Sequence, residues 1–431
     1  MSQATTHVRA GGFAWIAGAA LFTFPSLFFQ YLNATGSYHL ADAAPQLAAL
    51  VNGVAIMGAA FILSWGGEAA QKDISGPLAL AALALIALLP EYSVEAYLAW
   101  NAGAHPNEPA EVAKLAANVT GSNRLLIGLG WSLVALTFWF RVRGGLVLPA
   151  RLARDLAFLA VATFLVFLVI IFDGVPLILG VVLILVYVVY LVLSSREEVS
   201  EPDLAGPAET IGSLPKWWRR AAVLGMFVFA AGVIVASVEP FVHGLVATGR
   251  QFGIDEFYLI QWLAPLASES PEMVIALFYT ARANPAAGIT VLVSAGVNQL
   301  TVLIGSMPVI YSLSAGQIHS IHLQHRQVNE FLLTAALSLF AVVLMARRRF
   351  TPVHAIAMLL LFVLQLVFFH STAHLIFSGM YIVLTVGLII KDPWRVRLLL
   401  RYIVRMTQDV AGIFSRRQPS AAEEGQEAAH R

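Results

Sequence analysis

The chain has 431 residues, of which 59% are hydrophobic and 12% charged, about half the charged share of a typical soluble protein. The formal net charge of +1 gives no basic excess that would attract nucleic acid. The chain has no Cys, which excludes disulfides, thiolate metal sites and thiol nucleophiles. These properties predict a polytopic membrane protein built entirely from helices.

Long apolar segments follow one another along the chain, and a membrane-spanning helix needs about 20 such residues. Twelve spans are predicted, at residues 12–33, 44–65, 76–100, 115–140, 154–172, 174–194, 219–246, 256–281, 286–312, 330–346, 352–369 and 371–390. With a cytoplasmic amino terminus, all but four of the 26 Lys and Arg residues lie in inner segments. The four exceptions are Lys114, Arg124, Arg250 and Arg326. This asymmetry predicts two cytoplasmic termini, and the Arg-rich inner loops without a targeting segment favour a bacterial inner membrane.

Two of these spans contain a proline followed by a glutamate, Pro90-Glu91 and Pro271-Glu272. Each is followed by a span that Gly and Asn interrupt, at Asn123 in one and Asn298 in the other. A proline inside a helix removes a backbone hydrogen bond, and matching interrupted helices in two halves are typical of transporter binding sites. The pattern predicts two repeats with broken Pro-Glu helices. Five spans per repeat is an odd number, so the second repeat is inverted relative to the first.

This repeat pattern divides the chain into six parts. They are an N-terminal segment with an extra helix (1–43), the first repeat (44–194), a cytoplasmic loop (195–218), the second repeat (219–370), a last helix (371–390), and a cytoplasmic amphipathic helix with a disordered tail (391–431).

The Pro-Glu spans place four glutamates near the middle of the membrane: Glu91, Glu95, Glu269 and Glu272. A charged residue at that depth costs about 2.5–3.5 kcal/mol on insertion scales, so these side chains must be protonated, paired or neutralised by a cation. Together with the oxygens of Ser122, Asn123, Ser268 and Asn298 they form an oxygen-rich set of ligands. Hard cations such as calcium bind six to eight oxygens of this kind. The cluster contains no His or Cys, which disfavours zinc and copper.

Other ionisable residues have less specific interpretations. Arg124 directly follows Asn123 and is a candidate charge partner for the glutamates, which would then form an ion-pair network that only holds helices together. Glu239 and His243 lie one turn apart and form a candidate proton relay. His374, at a helix end, is expected at the protein surface.

These motifs resemble those of the calcium/cation antiporter superfamily, which includes the sodium/calcium exchangers. In that family each inverted repeat has a G-T-S-x-P-E helix followed by a G-N-x-x-G-S-N-x-x-N or -D helix. The resemblance places Glu91 and Glu272 on the calcium-binding glutamates of the family. It places Ser268 on the Thr of the first motif of the second repeat. The remaining matches are with the second motif: Asn118, Gly121, Ser122 and Asn123 in the first repeat, and Gly296 and Asn298 in the second.

Several positions depart from the family pattern. Ala87 and Leu88 replace the Thr-Ser pair of the first repeat, and Glu269 replaces the Ser of the second. Leu126 and Thr301 stand where the family has its last Asn or Asp. Several sodium ligands of the family are therefore missing, while two carboxylates are added. Additional titratable groups suit proton coupling better than sodium coupling.

These features predict a secondary antiporter that exchanges calcium for protons or sodium by alternating access. Its partners would be inorganic cations and the lipid bilayer, with no nucleic acid and no resident cofactor, and the sequence does not set the oligomeric state. The alternatives are a cation channel and a non-transporting ion-binding membrane protein. An enzyme is not expected, because the chain lacks a metalloprotease motif and a nucleophile with a matching base.

Overall fold

A computed structural model describes residues 2–36, 40–73, 88–150, 152–195, 204, 206–282 and 284–415. Three predicted features lie wholly or partly outside these residues: the first part of the span at 76–100, the acidic part of the loop at 195–218, and the tail after Ser415.

The described chain is almost entirely helical, with four two-residue strands. The first half contains α1 (Ser2–Ala34), α2 (Leu40–Ala43), α3 (Pro45–Ala70), α4 (Leu89–Ala104), α5 (Pro109–Arg124), α6 (Ser132–Val142), β1 (Leu146–Val147), α7 (Leu152–Ile171), β2 (Gly174–Val175), α8 (Leu177–Ser194) and α9 (Pro207–Gly212). The second half contains α10 (Lys216–Phe252), α11 (Glu256–Ala281), α12 (Pro285–Asn298), α13 (Ile304–Ala315), β3 (Ile321–His322), α14 (His325–Met345), β4 (Arg349–Phe350), α15 (Pro352–Val367), α16 (Ser371–Lys391) and α17 (Trp394–Ser415). A π-helical segment joins α5 to α6 (Leu125–Trp131), and another joins α12 to α13 (Gln299–Leu303).

The fold predicted from the sequence is confirmed: this is an all-α polytopic membrane protein. Within the described residues, nine helices are long and apolar enough to cross a membrane. The other three predicted spans correspond to α4 and α15, with 16 described residues each, and to α11, which has 26 residues and contains Glu269 and Glu272. Several helices begin where a proline occupies the first turn, as at Pro45, Pro109 and Pro285, because proline suits the helix start.

The short strands show that the two repeats run in opposite directions. Strands β1 and β2 lie at the start and end of α7, and β3 and β4 lie at the start and end of α14. β1 pairs antiparallel with β4, through Leu146 and Phe350, and β2 pairs antiparallel with β3, through Gly174 and His322. The start of each of these equivalent helices therefore lies beside the end of the other. Exchanging the two repeats turns the β1–β4 pair into the β3–β2 pair, as expected for an inverted repeat.

Helices α1, α3 and α10 pack together as one layer. In its interior the Ser26 hydroxyl donates to Asn52 Oδ1 at 2.7 Å and lies 2.9 Å from the Ser237 hydroxyl. At one end of the layer Arg219 donates to both carboxylate oxygens of Asp73, at 2.6 and 2.8 Å. These hydrogen bonds hold the pKa of the Asp73 carboxyl below its usual value. Polar contacts along this layer hold the first helices of both repeats, α3 and α10, to each other.

Candidate cation site

The two Pro-Glu motifs occupy different positions in their helices. Helix α4 begins at Leu89, which places Pro90 and Glu91 in its first turn. Helix α11 continues through both Pro265 and Pro271. The predicted interruption in the second repeat is therefore not a break in the helix. It is a loss of backbone hydrogen-bond donors, because proline has no N–H.

The centre of the candidate site is a contact between Glu91 of the first repeat and Glu269 of the second. The two carboxyl groups interact with each other and with the Gln299 side chain, although Glu91 Oε1, Glu269 Oε1 and Gln299 Nε2 have no hydrogen-bond partner in the protein. Asn298 Nδ2 donates to Glu91 Oε2 at 3.0 Å, and the Tyr92 hydroxyl donates to Asn298 Oδ1 at 3.3 Å. Glu91 is 6% exposed and Glu269 is 2% exposed. Groups from both repeats thus surround two buried carboxyl groups.

Glu95 and Glu272 lie beside this pair. Glu95 is fully buried, accepts a hydrogen bond from the Ser306 hydroxyl at 3.1 Å, and interacts electrostatically with Glu91. Glu272 interacts electrostatically with both Glu91 and Glu269. Each of these four glutamates has one buried carboxylate oxygen without a hydrogen-bond partner in the protein. Glu95 and Glu272 therefore lie close enough to interact electrostatically with the Glu91–Glu269 pair.

The two π-helical segments begin directly beside the site. One follows Arg124 and the other follows Asn298. Asn123 Nδ2 lies 3.5 Å from Gln299 Oε1, and the Ser338 hydroxyl donates to Asn123 Oδ1 at 2.8 Å. Asn123 thus contacts the site through Gln299. Single π-helical turns within α-helices are frequent at functional sites, and here they occur at the same place in both repeats.

Arg124 lies in a separate buried network. Its Nη2 donates to Glu330 Oε2 at 2.6 Å, and Gln261 Nε2 donates to the same oxygen at 2.9 Å. His374 Nδ1 lies 2.6 Å from Glu330 Oε1. The Arg124 guanidinium also stacks on the Trp262 ring, 5.2 Å from its centre. Arg124 is therefore placed against Glu330 rather than against the four central glutamates.

The remaining predicted site residues lie outside the glutamate contact. Ser122 is buried and its hydroxyl has no partner in the protein, whereas the Ser268 hydroxyl donates to the carbonyl of Ala264 in its own helix at 3.3 Å. Glu239 and His243 lie on an exposed face of α10, although Glu239 interacts electrostatically with Tyr97 of α4. The expectation that His374 lies at the surface was wrong, because this side chain is fully buried against Glu330.

The arrangement is suited to hold a cation or a proton. Two carboxylates that meet in a buried site repel each other when both are ionised, so a bound cation or a shared proton stabilises the pair. In the described ranges, no three His, Cys, Asp or Glu side chains are grouped as a metal site. A hard cation would therefore need amide, hydroxyl or backbone oxygens in addition to Glu91 and Glu269, and calcium accepts all of these.

Several residues at the site were not identified from the sequence. Gln299 follows Asn298 just as Arg124 follows Asn123, so alignment of the two repeats could have identified Gln299 as a residue of the site. Glu330 lies in the segment LQHRQVNEFLLT, where the matching segment LPARLARDLAFL has Asp155. Tyr92, Ser306 and Ser338 carried no comparable signal, because their contacts form only when distant helices pack.

Comparisons with known proteins show the family of this chain. The family described as sodium/calcium exchanger protein matches residues 46–196 and 222–370. This chain belongs to the sodium/calcium exchanger family. The two matched ranges separate at the loop between α8 and α10, where the repeats were predicted to meet.

Solved structures resemble this chain over most of its length. A structure described as the H⁺/Ca²⁺ exchanger CAX is 34% identical, with a TM-score of 0.84, and the match covers 93% of this chain and 98% of that one. The structure of native YfkE is 14% identical, with a TM-score of 0.58 and coverage of 81% and 99%. The sodium-calcium exchanger NCX_Mj, soaked with sodium and strontium, is 14% identical, with a TM-score of 0.51 and coverage of 75% and 98%. The last two likenesses concern the fold alone. Comparison with curated protein sequences gives no match.

Proposed function

We propose that this protein is a secondary active antiporter that exchanges calcium for protons by alternating access. The observation that carries the proposal is that buried Glu91 of the first repeat accepts a hydrogen bond from Asn298 of the second repeat at 3.0 Å and interacts with buried Glu269 of the same repeat as Asn298. The name of the 34% identical structure, an H⁺/Ca²⁺ exchanger, supports the same pair of ions. In this role the chain moves ions and has no enzymatic reaction to perform.

Calcium and protons would compete for the same oxygens. Calcium stabilises the ionised forms of Glu91, Glu269 and Glu272, whereas a proton removes one ligand charge and weakens calcium binding. Glu95 would take part as an additional ligand or proton carrier, through the oxygen that Ser306 leaves free. Because a bound calcium and a set of protons exclude each other, movement of one ion can drive movement of the other.

Alternating access would involve the layer formed by α1, α3 and α10. Polar contacts join these helices to one another, as Ser26 does with Asn52 and Ser237. We propose that the layer rocks or slides as a unit across the helices that hold the glutamates. Glu239 and His243, on the exposed face of α10, would then carry protons toward α4.

Protons are favoured over sodium as the counter-ion. Sodium sites need several neutral oxygen ligands, and the Ser268 hydroxyl donates to its own helix. The oxygens of Asn298 and Asn123 already accept hydrogen bonds from Tyr92 and Ser338. The oxygen ligands that remain are mainly carboxyl groups, and carboxyl groups bind protons.

The membrane placement follows the charge distribution. We propose that both termini are cytoplasmic and that the protein lies in a bacterial inner membrane, because most Lys and Arg residues lie on one side of the predicted spans.

Calcium uptake into liposomes tests this function. Protein reconstituted in liposomes should take up calcium when a pH gradient is imposed, and much less when an equal sodium gradient replaces it. Glu91→Gln and Glu269→Gln keep the shape of each side chain but remove a carboxylate. Each variant should lower the rate of uptake by more than about tenfold, because even the loss of a residue that only supports a metal ligand commonly costs about 10–100-fold.

Glu108→Gln is the matched control, because Glu108 is exposed in the loop before α5. This variant should transport calcium at the wild-type rate. Undiminished proton-driven uptake by both site variants would contradict the proposed site. Uptake that only a sodium gradient drives would contradict the proposed counter-ion while leaving the site intact.

A further inference from the structure

One face of helix α17 packs against α7 and against the carboxyl end of α14. Arg395 Nη1 donates to the carbonyl oxygens of Val343 and Leu344, at 3.1 and 2.7 Å, and the Tyr402 hydroxyl donates to the carbonyl of Ala346 at 3.0 Å. The last carbonyls of a helix have no partner within that helix, and a cation there is favourable. This face of α17 is therefore occupied by protein.

The opposite face of α17 carries arginines at every fourth position. Arg397, Arg401 and Arg405 are exposed, and their spacing places them along one side of the helix. The guanidinium groups of Arg397 and Arg401 lie 5.1 and 5.4 Å from the centre of the Trp394 ring. The indole thus holds two guanidinium groups next to each other.

These three arginines differ from the other arginines near this face in their partners. Arg395 pairs with Asp392 at 3.4 Å, and Arg154 lies 3.9 Å from Asp409. Among residues 2–415, as far as the structure describes them, Arg397, Arg401 and Arg405 form no ion pair. Their charge is therefore available to an anion from outside the bundle.

Apolar side chains lie directly beside the arginines. Leu400 and Val404 are 55% and 52% exposed, although they are one residue away from Arg401 and Arg405. A free phosphate ion or a nucleic acid would gain nothing from these apolar side chains. A phospholipid fits both features, because its phosphate meets the guanidinium groups while its acyl chains cover the apolar residues.

We propose that Trp394, Arg397, Arg401 and Arg405 form a binding site for the phosphate of an anionic phospholipid. The site lies at the predicted cytoplasmic face, where anionic lipids attract basic segments by about 1 kcal/mol for each Arg or Lys. A lipid held there presses α17 against the end of α14, the helix that carries Glu330 and Ser338. The proposal does not depend on which ions the protein exchanges.

Lipid retention by the purified full-length protein tests this site. Native mass spectrometry after equilibration with phosphatidylglycerol should show bound lipid, whereas phosphatidylcholine should be retained weakly. Arg397→Gln/Arg401→Gln should lower phosphatidylglycerol retention by about thirtyfold, because two charges near the headgroups are lost. Phosphatidylglycerol should also raise the thermal midpoint of the wild-type protein more than that of this variant.

Arg143→Gln/Arg349→Gln is the charge-matched control, since it removes two arginines from the same predicted face of the protein. This control should retain phosphatidylglycerol at the wild-type level and elute at the same volume from a sizing column. Equal retention by the α17 variant and the wild type would overturn the proposal. Displacement of the lipid by millimolar inorganic phosphate would overturn it as well, since free phosphate would then be the ligand.

Discussion

At the scale of single residues, buried charges divide this protein into two different environments. Glu91 and Glu269 interact with each other, and in the part of the chain that the structure describes neither forms an ion pair with Lys or Arg. Glu330 instead has Arg124 at 2.6 Å, together with Gln261 and His374. The first arrangement needs an external cation or proton, whereas the second is neutralised within the protein. The charge of the first arrangement can therefore change when a cation or proton binds. Loss of the charge on Glu330 would instead leave the buried Arg124 guanidinium unpaired.

The Arg124 network should contribute to stability. Glu330→Gln leaves the fully buried Arg124 guanidinium without its carboxylate, which typically costs about 3–5 kcal/mol. The thermal midpoint of the variant in detergent should therefore fall clearly. Arg124→Gln/Glu330→Gln should be less destabilised than the single variant, because it leaves no unpaired charge. If the single and double variants unfold at the wild-type temperature, the network contributes no stability.

A long ion pair with an exposed arginine provides the control for that experiment. Arg250 lies 3.9 Å from Glu256, and the Arg250 side chain is 76% exposed whereas the Glu256 side chain is 22% exposed. Exposed pairs contribute about 0–1 kcal/mol, so Arg250→Gln should leave the thermal midpoint nearly unchanged.

At the scale of helices, close backbone contact between α5 and α11 positions the site. A Cβ atom on Gly121 would lie 1.8 Å from the carbonyl oxygen of Gln261, so only glycine allows this crossing. Gly121 stands two residues before Asn123, and Gln261 is two turns before Glu269 in α11. The crossing therefore fixes Asn123 and Glu269 relative to each other.

Gly121→Ala tests the importance of this crossing. Overpacking of this kind costs about 1–3 kcal/mol, and here the obstacle is backbone that cannot rotate away. The variant should show a lower thermal midpoint and weaker calcium uptake. Gly232→Ala in α10 is the control, since a Cβ there meets nothing within 4 Å. Wild-type stability and uptake in Gly121→Ala would show that α5 and α11 can separate without loss.

Helix positions were predictable where a long apolar run has clear ends. The span predicted at 256–281 matches α11, because Asp255 caps its start and accepts a hydrogen bond from the Phe257 amide. The sequence indicated the π-helical segments after Arg124 and Asn298 only as interrupted helices. The number of residues in a helical turn depends on how neighbouring helices pack, which the sequence does not show. The continuity of α11 through Pro271 was likewise not visible in the sequence.

At the scale of the whole molecule, the inverted repeat accounts for both what could be predicted and what could not. The repeated Pro-Glu pattern predicted Glu91 and Glu272 as ligands, which stays a prediction, and the odd number of spans predicted the inversion that the β1–β4 and β2–β3 pairings display. The repeats placed Asn298 and Glu91 in one predicted set of ligands although they lie 207 positions apart, but they did not predict the pairing of Arg124 with Glu330, 206 positions apart. Such pairs are set by packing rather than by local pattern.

Calcium binding to the purified protein in weak buffer tests the central proposal most directly, because it measures whether calcium and protons share one set of carboxyl groups. Calcium should bind to the wild-type protein with release of protons into the medium, and its affinity should fall as the pH is lowered. Glu91→Gln/Glu269→Gln should lose both the binding and the proton release. Calcium binding without proton release, or unchanged binding by the double variant, would contradict the shared carboxylate site.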